Sequence, residues 1–109
     1  MEPHPGVFVS SVTAAEWQPD PDVPGSEMQE LVHTEGVWAG LTRFTSVDGP
    51  TRWTPPHRET IHVLEGQVSI EIVGGPTLNL KPGELASLPS GLDTIWHITP
   101  PFKELWVLT

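Results

Sequence analysis

The chain has 109 residues, including 13 Pro and 10 Gly but no Cys. This length fits one compact domain, and the absence of Cys excludes disulfides, Cys-ligated zinc, iron–sulfur clusters and thiol catalysis. The formal net charge of −9 argues against nucleic acid and anionic membranes as partners. The sequence has no apolar run of membrane-spanning length and no signal-peptide pattern, so we expect a cytoplasmic protein that does not cross a membrane.

The N-terminal third differs from the rest in charge. Residues 1–35 contain seven of the 14 acidic residues and no Lys or Arg. Within them, the Pro-rich run 18–26 is predicted to lack regular structure, because Pro lacks the backbone N–H that helices and sheets use. We therefore predict an acidic, Pro-rich arm with edge strands over residues 1–35, packed on a β domain over residues 36–109.

From residue 27 onward, short apolar runs alternate with turns that contain Gly or Pro. The predicted strands are 27–33, 36–44, 51–54, 59–64, 67–73, 77–80, 85–88, 94–98 and 103–108. Residues 65–66 and 100–101 are predicted to separate neighbouring strands. Many short strands between regularly spaced turns are typical of an all-β sandwich or barrel.

Two segments resemble the two sequence motifs of the cupin family. In residues 59–66, a Glu precedes a Gly by six intervening residues, as in the first motif. In residues 81–91, Gly83, Pro89 and Gly91 have the spacing of the second motif. The resemblance covers residues 36–108. It implies a double-stranded β-helix, or jelly-roll barrel, usually dimeric and with a site in the barrel mouth.

The resemblance also identifies where standard cupins hold a divalent metal, with three His and one Glu. Glu59 matches the Glu, whereas Trp53, Pro55 and Thr94 occupy the three His positions. A single carboxylate is a weak metal site, so no cofactor is predicted. A different alignment makes His57 a ligand beside Glu59, and a divalent metal at these two residues is the alternative.

The departure from the standard pattern resembles one subgroup of small cupins. Trp53, Glu59 and Trp96 match its characteristic positions. Where the subgroup often has a basic pair, this chain has Lys103 and Glu104, of which only Lys103 is basic. The subgroup includes relatives of ureidoglycine aminohydrolase and of the ethanolamine-utilisation cupin. Because its members span enzymes and proteins of unknown role, the resemblance implies a fold more than a function.

Strand alternation predicts which side chains face the barrel interior. Successive residues of a strand point to opposite faces, so inward-facing residues recur at every second position. The predicted ligand-binding residues are Trp53, Ile61, Ile70, Thr94 and Trp96. Apolar and aromatic walls with few polar groups are typical of a small-molecule pocket.

Glu59 is the predicted acid/base residue, because burial among apolar side chains raises the pKa of a carboxyl group toward neutrality. The alternative is a structural role, in which Glu59 accepts hydrogen bonds from the loop backbone near the barrel rim, or pairs with Arg52 or Arg58. His57, in the turn before Glu59, is a second candidate for acid/base catalysis. Its alternative is an exposed turn histidine.

Three functional hypotheses follow. The first is a cupin that binds a small metabolite at a degenerate metal site and uses Glu59 for proton transfer. The second is a non-catalytic metabolite-binding or sensor cupin, and the third is a divalent-metal enzyme with displaced ligands. Whether the protein is an enzyme stays open at this point. The small size and the resemblance also predict a homodimer.

Overall fold

The structure, a computed structural model, describes residues 1–14 and 16–109 and is built from antiparallel β-strands. The strands are β1 (Gln18–Pro19), β2 (Ser26–Thr34), β3 (Val37–Phe44), β4 (Thr51–Trp53), β5 (Glu59–Ile72), β6 (Thr77–Leu80), β7 (Leu85–Leu88) and β8 (Thr94–Leu108). The prediction of an all-β fold is confirmed. Across the described residues, no helix is long and apolar enough to span a membrane.

The two long strands β5 and β8 organise the sheet. The strand order is β1-β2-β3-β8-β5-β6, with β4 paired to β8 and β7 paired to β5. The second half of β8 pairs with β3 on one side and with the first half of β5 on the other. The first half of β8 pairs with β4 and with the second half of β5. Both long strands therefore contribute to two parts of the barrel.

The predicted strand breaks at residues 65–66 and 100–101 are wrong, because β5 and β8 each run through these positions as one strand. Their pairing instead changes register here, and residues 100–102 of β8 lie opposite Gly66 alone. Gly66 has a φ of 77°, and a Cβ at this position would lie 2.3 Å from the carbonyl oxygen of Pro101. Glycine therefore permits a bend in two continuous strands, where the sequence suggested a turn.

The bend also changes which residues of β5 face inward. Before it, the fully buried side chains are Ile61 and Val63, and after it they are Val68 and Ile70. A second register shift lies between Val63 and Glu65, and one extra residue in a strand moves the inner face to the other parity. Burying an aliphatic side chain of this size contributes about 1.5–3 kcal/mol. These four side chains therefore form the centre of the core.

The N-terminal segment runs along the edge of the sheet. The prediction that residues 18–26 lack regular structure is wrong for Gln18 and Pro19, which pair with β2, and for Ser26, which is the first residue of β2 and pairs with Phe44. Several side-chain contacts connect this segment to the strands. The Lys103 Nζ donates a hydrogen bond to the Val12 carbonyl oxygen at 3.0 Å, and the Arg43 guanidinium lies 4.3 Å from the centre of the Trp17 ring. Position 15 of the predicted arm lies outside the described residues.

Candidate functional site

The inner faces of the strands line a cavity that opens to solvent on one side. Most of its wall is aromatic or aliphatic, and its charged residues are all acidic. The acidic residues and tryptophans of its lining are Asp20, Asp22, Trp38, Trp53, Glu59, Trp96, Glu104 and Trp106. A cavity of this composition gives a ligand apolar contact with a few oriented polar groups.

Glu59 opens β5 and points into the cavity. Its side chain is buried, with 5% of its surface exposed. The Trp53 indole Nε1–H donates a hydrogen bond to the Glu59 Oε1 at 2.8 Å. Burial raises the pKa of Glu59, and the hydrogen bond from Trp53 partly opposes that shift. Within the described residues, Glu59 forms an ion pair with neither Arg52 nor Arg58, and the Arg58 guanidinium instead donates a hydrogen bond to the Ser87 Oγ at 3.0 Å.

Glu104 is a second buried carboxylate in the same cavity, and the sequence analysis assigned it no role. It lies on β8 and exposes 5% of its surface. Its Oε2 has no hydrogen-bond partner within the part of the chain that the structure describes. Burial, and next the charge of Glu59, raise the pKa of Glu104 well above its ordinary value.

A sequence signal for Glu104 did exist. Phe102, Glu104, Trp106 and Leu108 follow each other at every second position, and all four are buried. Because alternate residues of a strand share one face, this spacing places Glu104 among apolar side chains. The resemblance to the cupin subgroup considered only the charge of Glu104, and not the face of the strand on which it lies.

The four tryptophans of the cavity each direct the indole N–H to an acceptor of the protein. Trp53 donates to Glu59, and Trp96 donates to the Thr94 Oγ1 at 2.9 Å. Trp106 donates to the Thr42 Oγ1 at 2.8 Å, and Trp38 donates to the Glu30 Oε2 at 2.9 Å. These bonds fix the orientation of the rings, so the indoles offer a ligand aromatic surface and no indole donor.

The remaining predicted ligand-binding residues lie behind the cavity wall. Thr94 is buried, and its hydroxyl donates to the Trp53 carbonyl oxygen while it accepts from Trp96. Thr94 thus connects the two tryptophans that the sequence analysis selected. Ile61 and Ile70 are fully buried in the core. Trp53 and Trp96 line the cavity, whereas Ile61 and Ile70 do not.

His57 lies apart from the two carboxylates. It is exposed in the loop before β5, whereas Glu59 is buried. Within the described residues, no group of three or more His, Asp or Glu side chains could hold a metal ion. At the three positions where the resemblance places metal-binding His, Trp53 and Thr94 are engaged in the hydrogen bonds above and Pro55 is buried. This donor set does not fit the metal site of standard cupins.

The fold matches those of other small β-barrel proteins of known structure. A Salmonella typhimurium LT2 protein, provisionally assigned as ethanolamine utilization protein Q, has a TM-score of 0.63 at 26% identity, over 76% of this chain and 68% of its own. The EutQ protein of Clostridium difficile has a TM-score of 0.63 at 20% identity, over 76% of this chain and 66% of its own.

Ectoine synthase from P. lautus has a TM-score of 0.71 at 21% identity, over 84% of this chain and 67% of its own. No curated protein matches the sequence. The EutQ-like cupin domain family, in contrast, matches residues 42–104, which are more than half of the chain. The resemblance seen in the two motifs is thereby confirmed, and the chain belongs to the EutQ-like cupin domain family.

Proposed function

We propose that this protein binds a small organic molecule in the barrel cavity and that Glu59 exchanges a proton with it. The observation that supports this proposal is a carboxylate 95% removed from solvent at the wall of a tryptophan-lined cavity. A fold does not require an ionisable group at such a place, since an apolar side chain would be more stable there. Ionisable groups with shifted pKa values in a cavity are typical of functional sites.

The geometry around Glu59 suits general acid/base chemistry. Its raised pKa brings a carboxyl group closer to the pH at which it can both accept and release a proton. The hydrogen bond from Trp53 fixes one carboxyl oxygen and leaves the other for a bound molecule. The chemistry open to such a group is an isomerase, lyase or hydrolase-like step in which a single carboxyl moves a proton.

We propose further that this binding needs no metal, because Trp53, Pro55 and Thr94 stand where standard cupins have their His ligands. Elemental analysis of tag-free protein tests this point, since a polyhistidine tag would itself bind metal. After soaking in manganese, iron, nickel or zinc, we expect no stoichiometric metal. About one metal per chain that is lost in Glu59→Gln or His57→Ala would contradict the proposal and support the divalent-metal hypothesis.

A metabolite library screened by thermal shift tests ligand binding itself. We expect a compound that stabilises the wild-type protein by binding the folded state. Substituting Glu59→Gln keeps the shape of the side chain and removes its proton transfer. If the protein is an enzyme, this variant no longer converts the compound, even at concentrations that saturate binding. If it is a non-catalytic sensor, the wild-type protein binds the same compound and does not convert it either.

Glu71→Gln is the matched control for these measurements, because it removes one carboxylate from the outer face of the same strand. It should bind and convert the compound as the wild-type protein does. Loss of binding in Glu71→Gln would contradict the proposed function. A library in which no compound stabilises the protein by binding in the cavity would contradict it as well.

The predicted homodimer, the cytoplasmic location and the division into residues 1–35 and 36–109 stay predictions. We propose that residues 1–35 pack on the barrel as an arm with edge strands, which the contacts of Val12 and Trp17 with the sheet support. Sedimentation at micromolar protein concentration tests the homodimer, and a single species of monomer mass would contradict it.

A further inference from the structure

The charged residues of the cavity all have the same sign. Asp20 and Asp22 lie at its mouth, and Glu59 and Glu104 lie in its interior. No Lys, Arg or His lines the cavity within residues 1–14 and 16–109. Arg43 and Lys103 are directed elsewhere, to Glu27 and to the Val12 carbonyl oxygen. A negatively charged ligand would therefore meet no positive charge among the described residues that line this cavity.

The hydrogen-bond donors of the cavity point to the same conclusion. An anion such as a carboxylate or phosphate is normally held by Arg, Lys or free N–H groups. The four tryptophan N–H groups of this cavity are occupied by Glu30, Thr42, Glu59 and Thr94. Their rings remain, and aromatic rings attract cations through their negative faces.

Glu104 supplies the independent observation that a ligand group is missing. Its Oε2 is completely enclosed and has no partner among the described residues, although its side chain lines the cavity. A buried carboxylate without a donor or a positive charge beside it is costly to the fold. Among the residues that the structure describes, the other titratable groups that line this cavity are Glu59, Asp20 and Asp22, which are acids as well. The described residues therefore provide no positively charged partner for Glu104, and without a ligand only a proton can neutralise this carboxyl.

We infer that the ligand of the cavity is a small organic cation, an amine or a quaternary ammonium compound. Its charge would lie between the two interior carboxylates, and its carbon atoms would contact the indole rings. Asp20 and Asp22 at the mouth would raise the local concentration of cations. This inference rests on the proposed function, because it names the class of molecule that the cavity binds.

Three small molecules of the same shape and different charge test the inference by calorimetry. Choline is the cation, 3,3-dimethylbutanol is its neutral counterpart, and 3,3-dimethylbutanoate is the anion. We expect choline to bind about tenfold or more tightly than the alcohol, and the anion to show no measurable binding. Equal or tighter binding of the alcohol or the anion overturns the inference.

The dependence on pH gives a second readout. A bound cation favours the ionised carboxylates, so choline should bind more tightly as the pH rises and should release protons to the buffer. The neutral alcohol should show neither effect. If choline binds with no proton release in buffers of different ionisation enthalpy, its charge does not lie beside Glu59 and Glu104, and the inference fails.

Single Glu→Gln substitutions show which carboxylate binds the positive charge of choline. Glu104→Gln should weaken choline binding about tenfold and leave the alcohol unaffected, whereas Glu71→Gln should change neither. If Glu104→Gln does not fold, Glu59→Gln provides the same comparison from the other side of the cavity. Unchanged choline affinity in both interior variants contradicts the inference.

The two proposals can fail separately. If library compounds bind in the cavity and none of them is an ammonium compound, the proposed function stands and the inference of a cation is wrong. If choline, its two counterparts and the whole library fail to bind, both are wrong.

Discussion

The inner and outer faces of the two long strands hold glutamates in opposite surroundings. On the outer face, Glu71 lies 3.6 Å from the His97 Nε2, and Glu65 lies 4.0 Å from the Lys103 Nζ. Both of these glutamates are about half exposed. On the inner face, Glu59 and Glu104 are buried, and no basic side chain of the described residues lines their cavity.

This difference separates a structural use of glutamate from a functional one. Exposed ion pairs contribute little to stability, because water already solvates both charges. Buried carboxylates destabilise a fold unless a partner compensates for the lost water. The two outer glutamates thus need no explanation beyond solubility. Of the two inner glutamates, Glu59 accepts a hydrogen bond from Trp53, whereas Glu104 calls for a partner that the described residues do not supply.

The largest effect on stability should come from apolar side chains, compared between the inside and the outside of the barrel. Ile70 is 0% exposed on the inner face, and Leu85 is 64% exposed on the outside. Ile70→Ala should lower the free energy of unfolding by about 2–5 kcal/mol, because it leaves a cavity in the core. Leu85→Ala, the matched control, should change it by less than about 0.5 kcal/mol. Urea unfolding measures both, and equal losses would contradict the assignment of faces.

Replacing the inner carboxylate of Glu104 should change the free energy of unfolding by less, and in the opposite direction. Glu104→Met replaces a buried, unpartnered group with an apolar one of similar length, so it should raise the free energy of unfolding by about 1–3 kcal/mol at neutral pH. Glu71→Met on the outer face should change it by less than about 0.5 kcal/mol. A loss of stability in Glu104→Met would mean that Glu104 holds the fold together.

Much of the fold could be predicted, because alternation and turn residues are local signals. The predicted strands near β2, β3, β6 and β7 lie within a residue or two of those observed. The errors at Gly66 and Pro101 have one physical reason. Gly and Pro usually end strands, but here they face each other across a bend, and only the pairing of distant segments shows this.

The candidate site was predictable to a smaller extent. Glu59, Trp53 and Trp96 were selected through motif spacing, and the structure brings these three to one cavity. The role of Thr94 could not be predicted, since its partner is the carbonyl of Trp53, 41 residues away. The position of His57 depends on a loop, for which no periodic pattern gives a direction.

The dependence of stability on pH should also distinguish the two faces. Folding raises the pKa values of Glu59 and Glu104 above 4.5. Below that pH these carboxyls are protonated in both states. Above it they ionise first in the unfolded chain, so stability should fall as the pH rises toward the folded values.

The expected slope is at most about 1.4 kcal/mol per pH unit for each carboxyl. The double variant Glu59→Gln/Glu104→Gln should remove this loss, and Glu65→Gln/Glu71→Gln should retain it. Chemical unfolding at a series of pH values measures all three proteins. A wild-type curve parallel to that of the inner double variant would contradict the shifted pKa values.

The smallest effect concerns the hydrogen bond that orients Glu59. Trp53→Phe keeps an aromatic ring in the cavity wall and removes the N–H that Glu59 accepts. Because this bond stabilises the ionised carboxylate, the pKa of Glu59 should rise further, with a stability loss of about 1 kcal/mol. Trp96→Phe is the matched control, since its indole donates to Thr94. NMR titration of the Glu59 carboxyl carbon measures the pKa in each variant. If Trp96→Phe raises it and Trp53→Phe does not, Trp53 does not determine the protonation of Glu59, and the cavity must hold this carboxylate by another contact.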